Sequence, residues 1–343
     1  MKILMTSVFF YPHLGGIETI TEILAMEFCK IGGGIEVKIV TNTTEIGTKT
    51  FPFEVYRNPD RKTLWRLYKW CDVFVHQGIS LKLVWPWLIK RKPWFIVYHS
   101  PQFQKGYLGR IKKFCSHLTA RNIAVSEDVR RGCGLTNCVT ILNTYNKQVY
   151  KRTNVKERRD IAFVGKMFRD KGVYMLLDVF ERFKNETGSD YTLTMIGDGS
   201  MHPEAFEEVK EYAAKLKHVD DIHFMGALYP EDIAPILNKA KILVVPSLYN
   251  EAFGIVCLEG MASGCVVIGS DGDGIAEAIN GHGYTFRKGD SNELYDKIKI
   301  AAMSTQEEIN ARWQETADWL EEVSPSNVAK KYIDEFSCYM IKQ

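Results

Sequence analysis

The sequence has no apolar run long enough to span a membrane and no recognisable secretory leader. A transmembrane helix needs about 20 consecutive apolar residues, and no segment of the 343 residues approaches that length. Residues 1–10 hold one basic residue and a short apolar run, followed by Tyr11 and Pro12. This pattern is typical of a first β-strand rather than of a leader. We therefore expect a cytoplasmic protein.

Paired cysteines and metal-ligand clusters are also missing. The eight cysteines are scattered, and no second Cys/His pair with zinc spacing accompanies Cys133 and Cys138. We interpret all eight as reduced thiols. The run 271–274 (DGDG) is interpreted as a turn before a helix over 275–279, with Glu277 structural. The sequence therefore predicts neither a metal site nor a cofactor.

No strong excess of charge or of polar residues marks the chain as a whole. Hydrophobic residues make up 45% and charged residues 25%, with a formal net charge of +2. These values are typical of a soluble globular protein, and the length is sufficient for two domains with cores of their own.

Strand-like apolar segments alternate with helical segments along the whole chain, which predicts parallel sheets covered on both faces. The predicted strands cover residues 2–8, 36–41, 72–76, 94–98, 122–125, 138–142, 161–164, 192–196, 222–225, 242–245 and 266–269, and the clearest helices cover 16–30, 172–184, 204–216 and 254–262. We predict an α/β fold of two Rossmann-like, doubly wound lobes with a ligand cleft between them.

A polar, charge-dense segment over residues 146–160 interrupts this alternation and is the best linker candidate. It predicts an N-terminal lobe over 1–150 and a C-terminal lobe over 151–323. The last forty residues look wholly helical, and Ser324-Pro325-Ser326 is a start signal for the final helix. We expect this helix, residues 324–343, to pack back on the first lobe.

The most specific segment is 246–264, where a strand runs into a turn and a helix begins near Gly254. The N-terminus of a helix presents unpaired N–H groups and a partial positive charge, so it can bind an anion. Glu251 lies just before the helix and Glu259 lies on its second turn, about 12 Å away by helical rise. That separation suits the two ends of one elongated ligand.

This segment resembles the E-x7-E signature of family 4 retaining glycosyltransferases, which have the GT-B fold. The resemblance implies that Glu251 contacts hydroxyls of a donor sugar and that Glu259 contacts the nucleotide ribose. It also implies that the amides of Phe253, Gly254 and Ile255 meet sugar and phosphate.

Residues 163–172 resemble the basic element with which that family holds the donor diphosphate. Gly165, Lys166 and Lys171 take the family's positions, although the family usually has arginine at 166. Lysine is a point charge and cannot bind a phosphate through two parallel hydrogen bonds as arginine does. Arg169 is a candidate for supplying that bidentate contact. A solvated basic loop is the alternative interpretation.

Weaker motifs lie at positions where that family has comparable sequences. Gly15 and Gly16 resemble a loop whose amides approach the phosphate from the first lobe. Gly197-Asp198-Gly199 resembles the family's strand-end motif, and Leu228 ends a loop expected against the base. His99 directly follows a strand where the family has a histidine at the reacting centre, and His76 is a second candidate. Tight turns and a satisfied loop histidine are the alternatives.

The span from Arg61 to Lys113 is basic and rich in tryptophan. Asp72 is its only acid, and it contains Trp65, Trp70, Trp85, Trp87 and Trp94. Lysine and arginine interleaved with indoles are suited to an anionic membrane surface. Core tryptophans with solvated lysines are the alternative. No recognition motif for nucleic acid accompanies the patch.

Together these features predict a metal-independent, retaining hexosyltransferase that uses a UDP- or GDP-sugar. As the resemblance implies, the departing phosphate helps to deprotonate the acceptor during a same-face displacement. A lipid-linked saccharide in bacterial surface polysaccharide assembly is the expected acceptor, with the protein peripheral on the inner face of the cytoplasmic membrane. The alternatives are another GT-B nucleotide-sugar enzyme, such as an epimerase, and a non-catalytic membrane-bound subunit.

Overall fold

The computed structural model describes residues 1–13, 15–100, 106–155, 158–197 and 203–340. The chain divides into two compact units. The first contains Met1–Thr144 together with the chain from Val323 onward, and the second is Tyr145–Glu322. The division at Thr144 lies slightly before the predicted boundary at residue 150.

The first unit is built on a seven-stranded sheet in its described residues, in the order β3-β2-β1-β4-β5-β6-β7 with every pairing parallel. Its strands are β1 (Lys2–Ser7), β2 (Glu36–Thr41), β3 (Glu54–Arg57), β4 (Val73–Gln77), β5 (Trp94–Tyr98), β6 (Arg121–Ala124) and β7 (Cys138–Thr140). Its helices up to residue 133 are α1 (Gly16–Ile31), α2 (Arg61–Trp70), α3 (Trp85–Ile89), α4 (Tyr107–Ser116) and α5 (Glu127–Cys133).

Local sequence accounts for several of these elements. β4 and β5 are buried along their whole length, as expected for central strands of a parallel sheet. The Asp60 side chain accepts a hydrogen bond from the amide of Thr63 and so caps α2, and Ser126 caps α5 in the same way.

The second unit has a six-stranded parallel sheet in its described residues, in the order β10-β9-β8-β11-β12-β13. Its strands are β8 (Arg159–Val164), β9 (Leu193–Ile196), β10 (Ile222–Gly226), β11 (Ala240–Val245), β12 (Val266–Ser270) and β13 (Tyr284–Phe286). Its helices are α6 (Val173–Thr187), α7 (Pro203–Ala213), α8 (Pro230–Lys239), α9 (Ile255–Ser263), α10 (Gly274–Ile279), α11 (Ser291–Met303) and α12 (Gln306–Glu322).

The last helix, α13 (Pro325–Met340), packs on α1 within the first unit. The ring of Phe336 lies 6.0 Å from that of Phe28 and 4.7 Å from that of Phe95. The chain therefore returns to the first sheet after completing the second unit.

The predicted α/β fold of two Rossmann-like sheets is confirmed, and each sheet has a point at which strand order reverses. In the first unit the reversal lies between β1 and β4, and in the second it lies between β8 and β11. Ligands of doubly wound folds bind beyond the carboxyl ends of the strands at such points. In the described residues no helix is long and apolar enough to cross a membrane.

Candidate functional site

Two loops of the second unit meet at its strand reversal, one after β8 and one after β11. A Cβ on Gly172 would lie 2.0 Å from the carbonyl oxygen of Pro246, and Gly172 has φ of 74°. Only glycine tolerates both the contact and this backbone conformation. The amide of Leu248 also donates to the carbonyl of Asp170 at 2.7 Å. The basic loop is thereby fixed against the loop that carries Glu251.

This contact brings together Lys171, predicted to bind the phosphate, and Glu251, predicted to bind the sugar. We call these two residues and the N-terminus of α9 the clamp. The ammonium of Lys171 lies 2.5 Å from Oε1 of Glu251, and the hydroxyl of Ser247 donates to the same oxygen at 2.9 Å. Both charged side chains are largely buried. Burial lowers the pKa of Lys171, but the charges and hydrogen bonds of Glu251 and Tyr249 together outweigh it and leave the pKa raised. Lys171 is therefore a fixed cation at neutral pH.

The sequence does not reveal what holds Glu251 in place. Its backbone N–H donates to Oδ2 of Asp273 at 3.1 Å, and the ammonium of Lys288 lies 2.6 Å from the same oxygen. The other oxygen of Asp273 accepts the amide of Ile275 at 2.9 Å and caps α10. Lys288 also donates to the side chain of Asn250 at 2.8 Å. We call these the Asp273 latch.

The DGDG run was correctly interpreted as a turn before a helix, but Asp273 does more than terminate the turn. Its side chain is fully buried and ties the loop of residues 246–254, the clamp loop, to the loop that contains Lys288. Only an acidic residue next to a buried turn could have signalled this role, because both partners are distant in sequence.

The helix N-terminus predicted near Gly254 is present. Gly254 has φ of 82° and precedes α9, and no side chain caps this end. Phe253 is buried and anchors the turn, and Ile255 begins the helix. The amides of the first turn therefore keep the donor capacity that binds anions. Burial raises the pKa of Glu259, on the second turn, to about 7.

The remaining predicted residues of this unit lie on the strand ends around the clamp. Lys166 and Arg169 are exposed on the same loop as Lys171, and the guanidinium of Arg169 lies 5.0 Å from the ring centre of Tyr174. A Cβ on Gly197 would lie 1.9 Å from the carbonyl oxygen of Gly165, so the ends of β8 and β9 touch.

Two weaker predictions in this unit concern the strand-end motif after β9 and the loop after β10. Asp198 and Gly199 lie outside the described residues. Leu228 is half-buried just after the end of β10.

In the first unit, Gly15 and Gly16 lie at the start of α1, the first helix after β1. Gly15 is the N-cap with extended backbone, and a Cβ there would lie 2.4 Å from a carboxylate oxygen of Glu18. The Glu18 side chain thus folds back over the glycine loop.

Two histidines were candidates, and the structure gives them different surroundings. Nε2 of His99 lies 2.8 Å from Oε1 of Gln77, which ends β4 next to the strand reversal. Burial lowers the pKa of His99 to about 4, so its ring is neutral at pH 7.

His76 is fully buried between the rings of Phe74 and Trp94, with centroid distances of 4.5 and 5.4 Å. Adjacent residues of a strand point to opposite faces, so His76 packs on the face opposite Gln77. Its second-rank candidacy is corrected to a packing role.

The five tryptophans of the predicted membrane face differ in burial. Trp65, Trp70 and Trp85 are partly exposed, whereas Trp87 and Trp94 are buried between the sheet and α3. Membrane binding of this face remains a prediction. Lys92 donates to the carbonyls of Tyr68 and Lys69 at 2.9 and 3.0 Å, so it is structural. Indoles fill the core here because they are the largest apolar side chains.

The first unit presents other apolar groups to solvent. Leu88 and Ile89 on α3, and Tyr107, Leu108 and Phe114 on α4, are well exposed. In the described part of the chain, no group of three or more His, Cys, Asp or Glu side chains could hold a metal ion. Independence from metal remains a prediction.

Comparison with known proteins bears on the second unit most directly. Residues 158–302 match the family described as glycosyl transferases group 1. This part of the chain belongs to that family. The match contains the basic loop, the clamp loop and the Asp273 latch.

Relatives and solved structures agree with this assignment. The chain is 30% identical to an uncharacterized glycosyltransferase of Methanocaldococcus jannaschii over 47% of its own length and 42% of the relative. It is 29% identical to the lipopolysaccharide 1,2-N-acetylglucosaminetransferase of Salmonella typhimurium over 40% of this chain and 39% of that protein. The chain thus spans less than half of the length of these curated relatives.

A solved Anabaena protein, Alr3699/HepE in complex with UDP and glucose, has the same fold over 98% of this chain and 99% of its own. The TM-score is 0.80 at 17% identity. This likeness supports the GT-B architecture of the whole chain.

Proposed function

We propose that this chain is a retaining glycosyltransferase that moves a hexose-type sugar from a UDP- or GDP-sugar to an acceptor hydroxyl. The observation that carries the proposal is the Lys171–Glu251 pair at the strand reversal, next to the uncapped N-terminus of α9. A fixed cation, a carboxylate and free backbone amides together match the groups of a nucleotide sugar: a diphosphate and sugar hydroxyls.

In the proposed reaction, most of the rate acceleration comes from stabilising the negative charge that develops on the leaving group. When the glycosidic bond breaks, negative charge accumulates on the departing diphosphate. Lys171 and the amides of the first turn of α9 stabilise that charge more in the transition state than in the ground state. Donor binding replaces part of the Lys171–Glu251 contact, so that Glu251 turns to the sugar hydroxyls. The leaving phosphate then accepts the acceptor proton on the same face.

UDP and a lipid-linked saccharide acceptor are the favoured substrates. The Anabaena neighbour was solved with UDP, and the Salmonella relative is named for lipopolysaccharide. The test is a thermal-shift screen against UDP, GDP and their hexose derivatives, because a ligand that binds the folded state raises its stability. Transfer is then measured with and without EDTA, and the anomeric configuration of the product is read from proton couplings.

Each outcome discriminates between the candidate functions. Stabilisation by a nucleotide sugar with a retained product supports the proposal. An inverted product, or no stabilisation by any nucleotide, contradicts it. Donor turnover without any acceptor indicates an epimerase, and UDP binding without turnover indicates a non-catalytic subunit.

Lys171→Met tests the clamp directly. A charge-assisted contact is worth about 1.5–3 kcal/mol, so we expect kcat/KM to fall about tenfold to a hundredfold. Lys215→Met, which removes an exposed lysine of the same unit, is the control and should leave kcat/KM unchanged. Near-normal turnover of Lys171→Met would remove Lys171 from the clamp.

We further propose that the first unit docks on an anionic membrane leaflet through α3 and α4. Tyr107 and Phe114 are 77% and 64% exposed, and α4 carries three basic residues and no acid. Apolar side chains interleaved with basic ones bind anionic interfaces.

Flotation with vesicles containing phosphatidylglycerol tests the docking. Lys90→Glu with Arg91→Glu should weaken binding at least tenfold. Lys330→Glu with Lys331→Glu, on the exposed side of α13, is the matched control. Equal loss in both pairs, or no binding at low salt, would contradict docking through α3 and α4.

A further inference from the structure

A cavity of about 880 Å³ lies within the second unit, in addition to the clamp. Its walls are residues 145–155 and α12. These are the first and the last segments of the second unit. Ala262, near the end of α9, lies at its floor. The volume is within the range of small-molecule sites, and nothing in the proposed transfer reaction uses it.

An arginine without an acidic partner lies in this cavity. The guanidinium of Arg152 bonds the side-chain oxygen of Asn310 and lies 5.0 Å from the ring centre of Trp313. Among the described residues no carboxylate pairs with it. Burial lowers the pKa of Arg152, which shows that its charge is partly desolvated. A desolvated cation that lacks a counter-charge is costly, and an anion in the cavity would relieve that cost.

A second arginine directly behind the wall strengthens the positive field. Arg158 is only 4% exposed, and its acceptors are the neutral oxygens of Leu237 and Asn238 at 3.4 and 3.5 Å. Its pKa is lowered by burial and further by the charge of Arg152. Both side chains approach the same glycine, Gly264, at the end of α9, Arg158 with its guanidinium and Arg152 with its γ-carbon. The two arginine side chains are therefore neighbours, and the charge of Arg152 opposes that of Arg158.

The other lining groups are suited to sugar hydroxyls. Thr153, Asn154, Gln306 and Asn310 line the cavity with hydroxyl and amide groups, and Lys151 adds a second cation. The Thr153 hydroxyl already donates to Asn238 at 2.8 Å and the Gln306 amide to Asn310 at 3.0 Å, which leaves the amide N–H of Asn310 and the carbonyl of Gln306 for a ligand. Lys147 is already paired with Glu321 at 2.5 Å, so the net charge of the lining comes from Lys151 and Arg152. Phosphate groups prefer arginine and lysine, and amides bind hydroxyls through both donor and acceptor atoms.

We propose that this cavity is a binding site for a small phosphorylated sugar, separate from the clamp. The phosphate bonds Arg152 and Lys151, and the sugar hydroxyls bond the amides along α12. Since all lining residues belong to one unit, the site does not depend on the proposed transferase activity.

Calorimetry on the full chain with glucose 6-phosphate as the probe tests this proposal. We expect binding, with at least tenfold weaker binding of glucose and of inorganic phosphate, because each lacks half of the recognised groups. Arg152→Gln should weaken glucose 6-phosphate binding at least tenfold. Lys151→Gln, at an exposed position, should weaken it severalfold.

Two controls locate the site. Arg312→Gln removes an arginine on α12, whose guanidinium lies 4.5 Å from the ring centre of Tyr284, and should not change binding. Glu251→Gln alters the clamp and should also leave binding unchanged. No binding at millimolar glucose 6-phosphate, binding that survives both Arg152→Gln and Lys151→Gln, equal binding of inorganic phosphate, or loss in Glu251→Gln would each overturn the proposal.

Discussion

The Asp273 latch makes a quantitative prediction about how the clamp loop is held. Oδ2 of Asp273 receives both the Glu251 amide and the Lys288 ammonium, and the two charged side chains are 0% and 22% exposed. A charge-assisted contact with this burial is worth about 1.5–3 kcal/mol. Asp273→Asn and Lys288→Met should each destabilise the second unit by about 2–3 kcal/mol, and the double variant by about 2 kcal/mol less than their sum.

The measurement is a urea titration that follows the second unit alone. Trp319 lies in that unit, and its indole N–H donates to the carbonyl of Ala278 on α10, the helix that Asp273 caps. The 19F resonance of 5-fluorotryptophan at position 319 is therefore a local probe of this unit. The control cycle uses the exposed Arg159–Asp190 pair of the same unit, for which we expect a coupling of about 0.5 kcal/mol or less.

The same variants report on Glu251. If the latch positions the carboxylate that meets the sugar, Lys288→Met should lower kcat/KM for transfer about tenfold. It should leave the Kd for free UDP within about threefold, because UDP has no hexose. A coupling energy no larger than that of the exposed pair, or unchanged transfer, would refute the positioning role of Asp273.

Three other predictions follow from the described geometry. Because the folded-state pKa of Glu259 is raised to about 7, the folded state holds a proton that the unfolded state releases near pH 4.5. Stability should therefore fall by about 1–3 kcal/mol from pH 5 to pH 8, and Glu259→Gln should abolish this component in urea titrations at several pH values. The His99 ring, whose pKa is lowered to about 4, should show no NMR titration between pH 5.5 and 8, and a midpoint near 6.5 would contradict its burial. Gly172→Ala should cost more than about 3 kcal/mol in the same urea assay, because it combines positive φ with overlap on Pro246; a loss below about 1 kcal/mol would show that the two loops are not in contact.

Long buried strands and amphipathic helices were predictable from the sequence, since their periodicity is local. The edge strands β3 and β13 were missed, because Glu54–Arg57 and Tyr284–Phe286 are too short and too mixed in burial to leave a pattern. The end of the final strand of the first unit was also overestimated, at residue 142 instead of Thr140.

The candidate site was also predictable only in part. Glu251 and Lys171 were named from motifs, and the structure places them in contact. Asp273 and Lys288 were not, because their bonds depend on three loops meeting in space. The tryptophan-rich face was predictable only in composition: the sequence shows that indoles are present, but packing decides that Trp87 and Trp94 are buried while Trp65, Trp70 and Trp85 stay partly exposed.

The contact between Gly172 and Pro246 limits how this protein can be re-engineered. Since the carbonyl of one loop occupies the space where a side chain of the other would lie, the loops after β8 and β11 have a shared shape. A chimera that imports the β11 loop from a relative with another donor preference inherits a surface matched to that relative's own β8 loop. Exchange of donor specificity between such proteins therefore requires transplanting both loops as a pair.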